Sequence, residues 1–147
     1  MSHTLTNRLA NPVLRPLLRS PLGRRLGRRL AVLRYTGTRT GQPHELVCEY
    51  ALDGERVWIL VGQAPGKTWW RSLRREAAVD VWLAGEHWTG RALVVDGADR
   101  PDEAAAGLAV YLRAHPAARR SLGLRNVSAD AVAHAAGRVV LVRIRLG

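Results

Sequence analysis

The chain has 147 residues, 47% of them hydrophobic, which suits one domain whose core holds without disulfides or metals. Its single cysteine, Cys48, excludes an intrachain disulfide and a cysteine-based metal site and points to a reducing compartment; no apolar run reaches the roughly 18 residues of a membrane-spanning helix. The formal net charge of +11 is concentrated at the front, where nine arginines precede the first acidic residue, Glu45, so the rest of the chain is close to neutral.

Residues 1–29 read as a basic amphipathic helical segment. Asn11-Pro12 and Ser20-Pro21 each set an N-cap residue before a proline at the first helical position. Leu14, Leu17, Leu18, Leu22, Leu26 and Leu30 recur every three to four residues with arginines between them. Two roles suit this pattern: a helix packing its leucine face on the domain, or a peripheral anchor on an anionic membrane surface, such as the inner face of the cell membrane. Pro12, Arg15, Pro16 and Arg19 interrupt the apolar block a signal peptide would need. The segment lacks interleaved aromatics, so no specific nucleic-acid partner is expected.

Residues 30–147 form the second unit, and it is rich in strands. Strands are expected at 30–36, 44–52, 56–61, 78–83, 87–95 and 138–146. Along 44–52, Leu46, Cys48 and Tyr50 alternate with Glu45, Val47, Glu49 and Ala51, and Asp53-Gly54 is a strong hairpin signal. Thr68 is placed to cap a short helix to Arg75. Pro101 opens a helix to about Ala114, with Asp102 and Glu103 in its first turn, where carboxylates suit the dipole. A last helix lies near 129–136 and ends at Gly137. Tight hairpins imply antiparallel pairing, and six strands of this length close into a small barrel rather than leave long edges. The expected fold is therefore α+β, mainly β: a six-stranded antiparallel split β-barrel with flanking helices.

No hydrolytic or metal constellation is visible. The five histidines have no ligand-like spacing, Cys48 lies mid-strand where packing outweighs nucleophilic chemistry, and no catalytic residue is assigned. Two loops carry the chemistry instead. The first, Thr36-Gly37-Thr38-Arg39-Thr40-Gly41, combines hydroxyls, backbone amides and a guanidinium, a mixture that suits a phosphate or carboxylate and equally an ordinary polar hairpin. The second runs Gly62-Gln63-Ala64-Pro65-Gly66-Lys67-Thr68-Trp69-Trp70-Arg71 and contains the chain's one lysine. It leaves a strand and opens a helix, where free amides, Lys67 and Arg71 would favour an anion. Adjacent Trp69 and Trp70 diverge by roughly 100° on a helix, so one of them could offer a flat face to a planar ring.

Together these loops resemble the deazaflavin-dependent nitroreductases, also called F420H2-dependent quinone reductases. Gly37-Thr38-Arg39-Thr40-Gly41-Gln42-Pro43 is similar to that family's G-R-x-[TS]-G-x-x-R stretch. Lys67-Thr68-Trp69-Trp70-Arg71-Ser72-Leu73, with Val79 after it, is similar to its tryptophan-asparagine-leucine helix and next strand, and Gly90-Arg91-Ala92 to the strand that follows. The likeness spans roughly residues 30–96. It implies a split β-barrel, coenzyme F420 and hydride transfer to a quinone, nitroaromatic or similar small organic acceptor. It also implies that Arg39, Thr40 and Gly41 line the cofactor's anionic arm, that Gly66, Lys67 and Thr68 meet its phosphate, and that Trp69 or Trp70 meets its ring beside Arg71. Thr38 stands for a usual arginine, His44 near another, and Ser72 for asparagine, and the family's acceptor-site tyrosine cluster is missing; these departures weigh against nitro-drug acceptors. Two alternatives remain open: an FMN-dependent oxidase or reductase on the same barrel, and a non-catalytic protein that binds a flavin-like or lipid ligand. A cytoplasmic setting and a homodimer are both compatible with this reading.

Overall fold

A computed structural model describes residues 29–147. Of the leader expected to be helical, residues 1–29, all but Arg29 lies outside the described residues. Seven strands form one antiparallel sheet: β1 (Leu30–Thr36), β2 (Pro43–Glu49), β3 (Ala51–Asp53), β4 (Arg56–Val61), β5 (Ala77–Leu83), β6 (Glu86–Asp96) and β7 (Val140–Leu146). Their order across the sheet is β2-β1-β5-β6-β7-β4-β3.

The seventh strand is a correction to the six expected. The stretch read as one strand over 44–52 breaks at Tyr50, whose amide donates to the Arg29 carbonyl at 3.1 Å. Before the break, β2 pairs with β1, Leu30 opposite Glu49; after it, β3 pairs with β4, Ala51 opposite Trp58. The two outer strands of the sheet are thus consecutive in the chain. One bent segment serves both edges and curls the sheet into a barrel that is split between β2 and β4.

The alternation expected along 44–52 holds. Leu46, Cys48 and Tyr50 face the barrel interior with Ala31, Leu33, Val57, Ile59, Val81 and Val142, whereas Val47 packs with Val32 on the opposite face. Burial on both faces explains why the strand reads as nearly continuous apolar sequence. Turn chemistry is as expected at Gly54 (φ +60°), and the β5–β6 turn uses Gly85 (φ +80°) beside Ala84, itself at φ +50°.

Helices cover one outer face. α1 (Pro101–Ala114) and α3 (Ala129–Ala136) match the expected spans, and α2 (Ala118–Ser121) is an additional short turn. The Ser128 hydroxyl caps α3 by accepting from the Ala131 amide at 3.2 Å. Leu108, Leu112, Val132, Ala135 and Ala136 pack on Trp58, Val95 and Leu141 of the sheet. Glu103 in the first turn of α1 pairs with Arg143 on β7, which ties the helix to the sheet with a charge-assisted contact. The last strand starts at Val140 rather than 138, because the amides of Arg138 and Val139 donate to helix carbonyls of Ala135 and Ala136.

The expected helix from Thr68 to Arg75 is a second correction. A 3-10 turn, Trp69–Leu73, stands there, preceded by another at Ala64–Gly66, and the Thr68 side chain makes no capping bond. Pro65 and the need to bury both Trp70 and Leu73 within a few residues favour tight turns over a regular helix.

Candidate functional site

The two loops meet in space. The Thr38 amide donates to Ser72 Oγ at 3.2 Å, joining the β1–β2 hairpin to the second 3-10 turn. The hairpin satisfies much of its own backbone: the Gly37 amide donates to the Gln42 carbonyl, Gly41 to the Gly37 carbonyl, and Gln42 to Thr40 Oγ1. Thr40 Oγ1 also lies 3.3 Å from His44 Nε2. A Cβ on Gly37 would fall 2.8 Å from the His44 ring, so a larger residue there would have to displace that side chain. The Gly41 amide is therefore spent internally, and the Arg39 guanidinium is exposed on the same loop.

The same holds for the second loop. The Gly66 amide donates to the Gln63 carbonyl and the Lys67 amide to the Ala64 carbonyl. The regular helix whose dipole was expected beside Lys67 is a five-residue 3-10 turn here. The tryptophans divide their roles. Trp70 is buried, and its indole N–H donates to the Ala64 carbonyl at 3.0 Å, so it is a core and loop-fixing residue, with Arg71 and Arg74 over its ring. Trp69 is only partly buried; its ring lies 6.2 Å from that of Tyr35, and Tyr35 stacks on His44 at 5.5 Å. These three rings run from the hairpin towards the mouth of the barrel split.

That split is an open groove. Its main chamber, about 670 Å³, lies between the end of β2, the end of β4, the C-terminus of α1 and the start of β7. A narrow extension past Cys48 and Ile59 reaches Lys67 and Trp69. Of the nine residues expected to bind a cofactor, the structure brings Lys67 and Trp69 to this groove. Arg39, Thr40 and Gly41 sit in the neighbouring hairpin, Gly66, Thr68 and Arg71 are exposed on the loop, and Trp70 is interior.

The main chamber also holds residues that the sequence did not single out. Arg29 pairs with Glu49 at 3.4 Å, and the Tyr111 hydroxyl donates to the other Glu49 oxygen at 3.3 Å. Burial and the adjacent Glu49 carboxylate both push the Tyr111 phenol up, so it stays a protonated donor. The Cys48 thiol is pushed up to about 12, first by burial and then by Glu49, which makes it inert at neutral pH. His115, 3% exposed, places Nε2 2.5 Å from the Tyr50 carbonyl. A carbonyl only accepts, so Nε2 donates to it, and Nδ1 is a buried ring nitrogen with no hydrogen-bond partner among the described residues. Pro116 directly after His115 marks a helix end in the sequence, but nothing there shows that the ring turns inward.

A scan against known protein families finds no match, and neither does a search of curated proteins. Solved structures do match in fold. An F420-H2 dependent reductase superposes with a TM-score of 0.58 at 10% identity, over 80% of this chain and 95% of that one. A protein of unknown function from Agrobacterium tumefaciens, Atu2129, gives 0.57 at 19% identity over 84% of this chain, which spans about half (53%) of that protein's length. A FAD and heme binding protein from Mycobacterium smegmatis gives 0.54 at 18% identity, over 90% of this chain and 66% of that one. At these identities the likeness establishes a shared split-barrel fold.

Proposed function

We propose that the protein is an oxidoreductase that binds coenzyme F420 in the groove of the barrel split and passes its hydride to a small organic acceptor such as a quinone. The observation that carries this reading is the groove itself. It has the volume of a cofactor site, an apolar wall including Val47, Leu60, Val61 and Val140, and Arg29, Arg138 and Lys67 along its length for an anionic arm. His115 Nδ1 in its wall is a buried ring nitrogen in want of a hydrogen-bond partner, and the pyrimidinedione edge of a flavin-type ring carries both N–H and C=O groups. Trp69 and Lys67 would stand at the far end for ring and phosphate, with Arg39 in the adjoining hairpin. When bound, the cofactor supplies the hydride; the chain's part is to hold and orient it and to shield the reacting face from water. The fold of the similar F420-H2 dependent reductase agrees with this reading. The setting we propose is the cytoplasm, with the leader resting on the inner face of the membrane and a second copy of the chain as a candidate partner.

The test is an absorption and fluorescence titration of purified protein with coenzyme F420 and with FMN, side by side. F420 is expected to bind at low-micromolar concentration or tighter, and FMN more weakly. FMN binding at least as well would transfer the assignment to an FMN-dependent enzyme on the same barrel. Binding of neither would end the cofactor reading.

A further inference from the structure

A second concavity lies among α1, α2, α3 and the loop before α3, and the groove function does not use it. It measures about 730 Å³ and shares only Ala117 with the described lining of the groove. Its floor is apolar: Leu112 and Val132 are buried core residues, and Val127 at the edge is 56% exposed, one of the few large hydrophobic side chains left in water. Its rim is cationic. Arg113, Arg119 and Arg120 all line it, no carboxylate does among the described residues, and none of the three arginines has an ion-pair partner there. Arginine is this chain's default base, so its choice over lysine carries no information; the position and the missing countercharge do. The C-terminal dipole of α1 accounts for Arg113, but not for two more arginines on a four-residue turn facing the same space.

We propose that this cup is a binding site for a single-chain amphiphilic anion, an alkyl carboxylate, with the chain on Leu112, Val127 and Val132 and the carboxylate on Arg113, Arg119 and Arg120. Apolar burial favours the chain, and guanidinium groups bind carboxylate with paired N–H donors. The chain's own leader is a poor occupant, because residues 1–28 bring six arginines and no acid to a rim of like charge. The inference is independent of the groove's cofactor.

The probe is decanoate below its micelle concentration, titrated into the full-length protein by calorimetry, with decanol and decyltrimethylammonium as controls. Decanoate is expected to bind at least tenfold tighter than either control, and roughly fourfold tighter for each methylene buried when octanoate is compared with it. The double variant R119Q/R120Q, with an unchanged melting transition, is expected to lose at least fivefold in affinity, R119K/R120K to recover most of it, and both to bind coenzyme F420 as the parent does. Equal binding of decanol, or an unaltered R119Q/R120Q, overturns the proposal. Association with anionic vesicles in the absence of binding to dispersed decanoate overturns it as well, in favour of a surface for bilayers. Loss of F420 binding by the parent would count against the groove reading alone.

Discussion

Lys67 loses the helix dipole the sequence promised it and keeps its place beside the groove. The regular helix expected after Thr68 is a five-residue 3-10 turn, and the Lys67 amide is already bonded to the Ala64 carbonyl. What remains is an ammonium next to Trp69 at the narrow end of the split. Arg71, by contrast, is exposed with its guanidinium 5.8 Å from the Trp70 ring centroid, a packing role on the outside of the loop. Lys67→Ala is therefore expected to weaken F420 binding roughly tenfold or more, the worth of about 1.5–3 kcal/mol for a charge-assisted contact. Arg71→Ala should cost much less, as exposed charges do. Three fluorescence titrations, parent and two variants, read this out. A Lys67→Ala protein within about twofold of the parent would move the anion contact to Arg39. The sequence singled out Lys67 and Trp69 because a lone lysine and an aromatic pair stand out locally. It could not rank Trp69 over Trp70, since the distinction rests on a hydrogen bond to Ala64 and on which ring the turn tucks inside.

At the scale of elements, local signals were read well where one short-range cause decides. Pro101 opens one helix, Gly137 ends another, and Gly54 closes a hairpin. The bend at Tyr50 was not legible, because it depends on pairing one strand with two distant partners, β1 and β4. The groove residues Glu49, Tyr111 and His115 were missed for the same reason: they lie up to 66 residues apart in sequence (49 to 115) and are brought together by that bend and by α1. The approach of α1 to the sheet rests on Gly107. A Cβ there would lie 2.4 Å from Cε3 of Trp58, whose indole is buried and has no room to retreat. In a helix interior Gly→Ala normally stabilises by about 1 kcal/mol. Here overpacking of about 1–3 kcal/mol should outweigh that gain. Gly107→Ala is expected to lower the denaturation midpoint, while Gly66→Ala, with nothing within 4 Å of the new methyl, should leave it unchanged. A Gly107→Ala protein as stable as the parent would show that helix and sheet are free to slide apart.

For the whole molecule the decisive question is what the cationic leader does, and the sheet determines where a truncation must fall. Arg29 belongs to the barrel: its carbonyl accepts from the Tyr50 amide at the bend, and its guanidinium pairs with Glu49 in the groove. Cutting after residue 29 would remove both contacts and confuse anchoring with folding, so the informative truncation removes residues 1–28. That deletion takes six arginines and no acid, about half of the +11 net charge, and leaves the described domain with a smaller positive excess. Each arginine near an anionic bilayer contributes about 1 kcal/mol, and the attraction fades beyond a Debye length of about 10 Å at 0.1 M salt. No helix among the described residues is long and apolar enough to cross a membrane. The truncated protein is expected to fold, to bind F420 like the full chain, and to lose at least tenfold in partition onto anionic vesicles; raising the salt to about 0.5 M should remove much of the full chain's binding as well. Co-sedimentation that is unchanged by truncation and by salt would rule out the anchor and leave the leucine face of the leader as a packing surface. A truncated chain that no longer folds would point the same way, because a peripheral anchor is dispensable for the barrel and a packed helix is not.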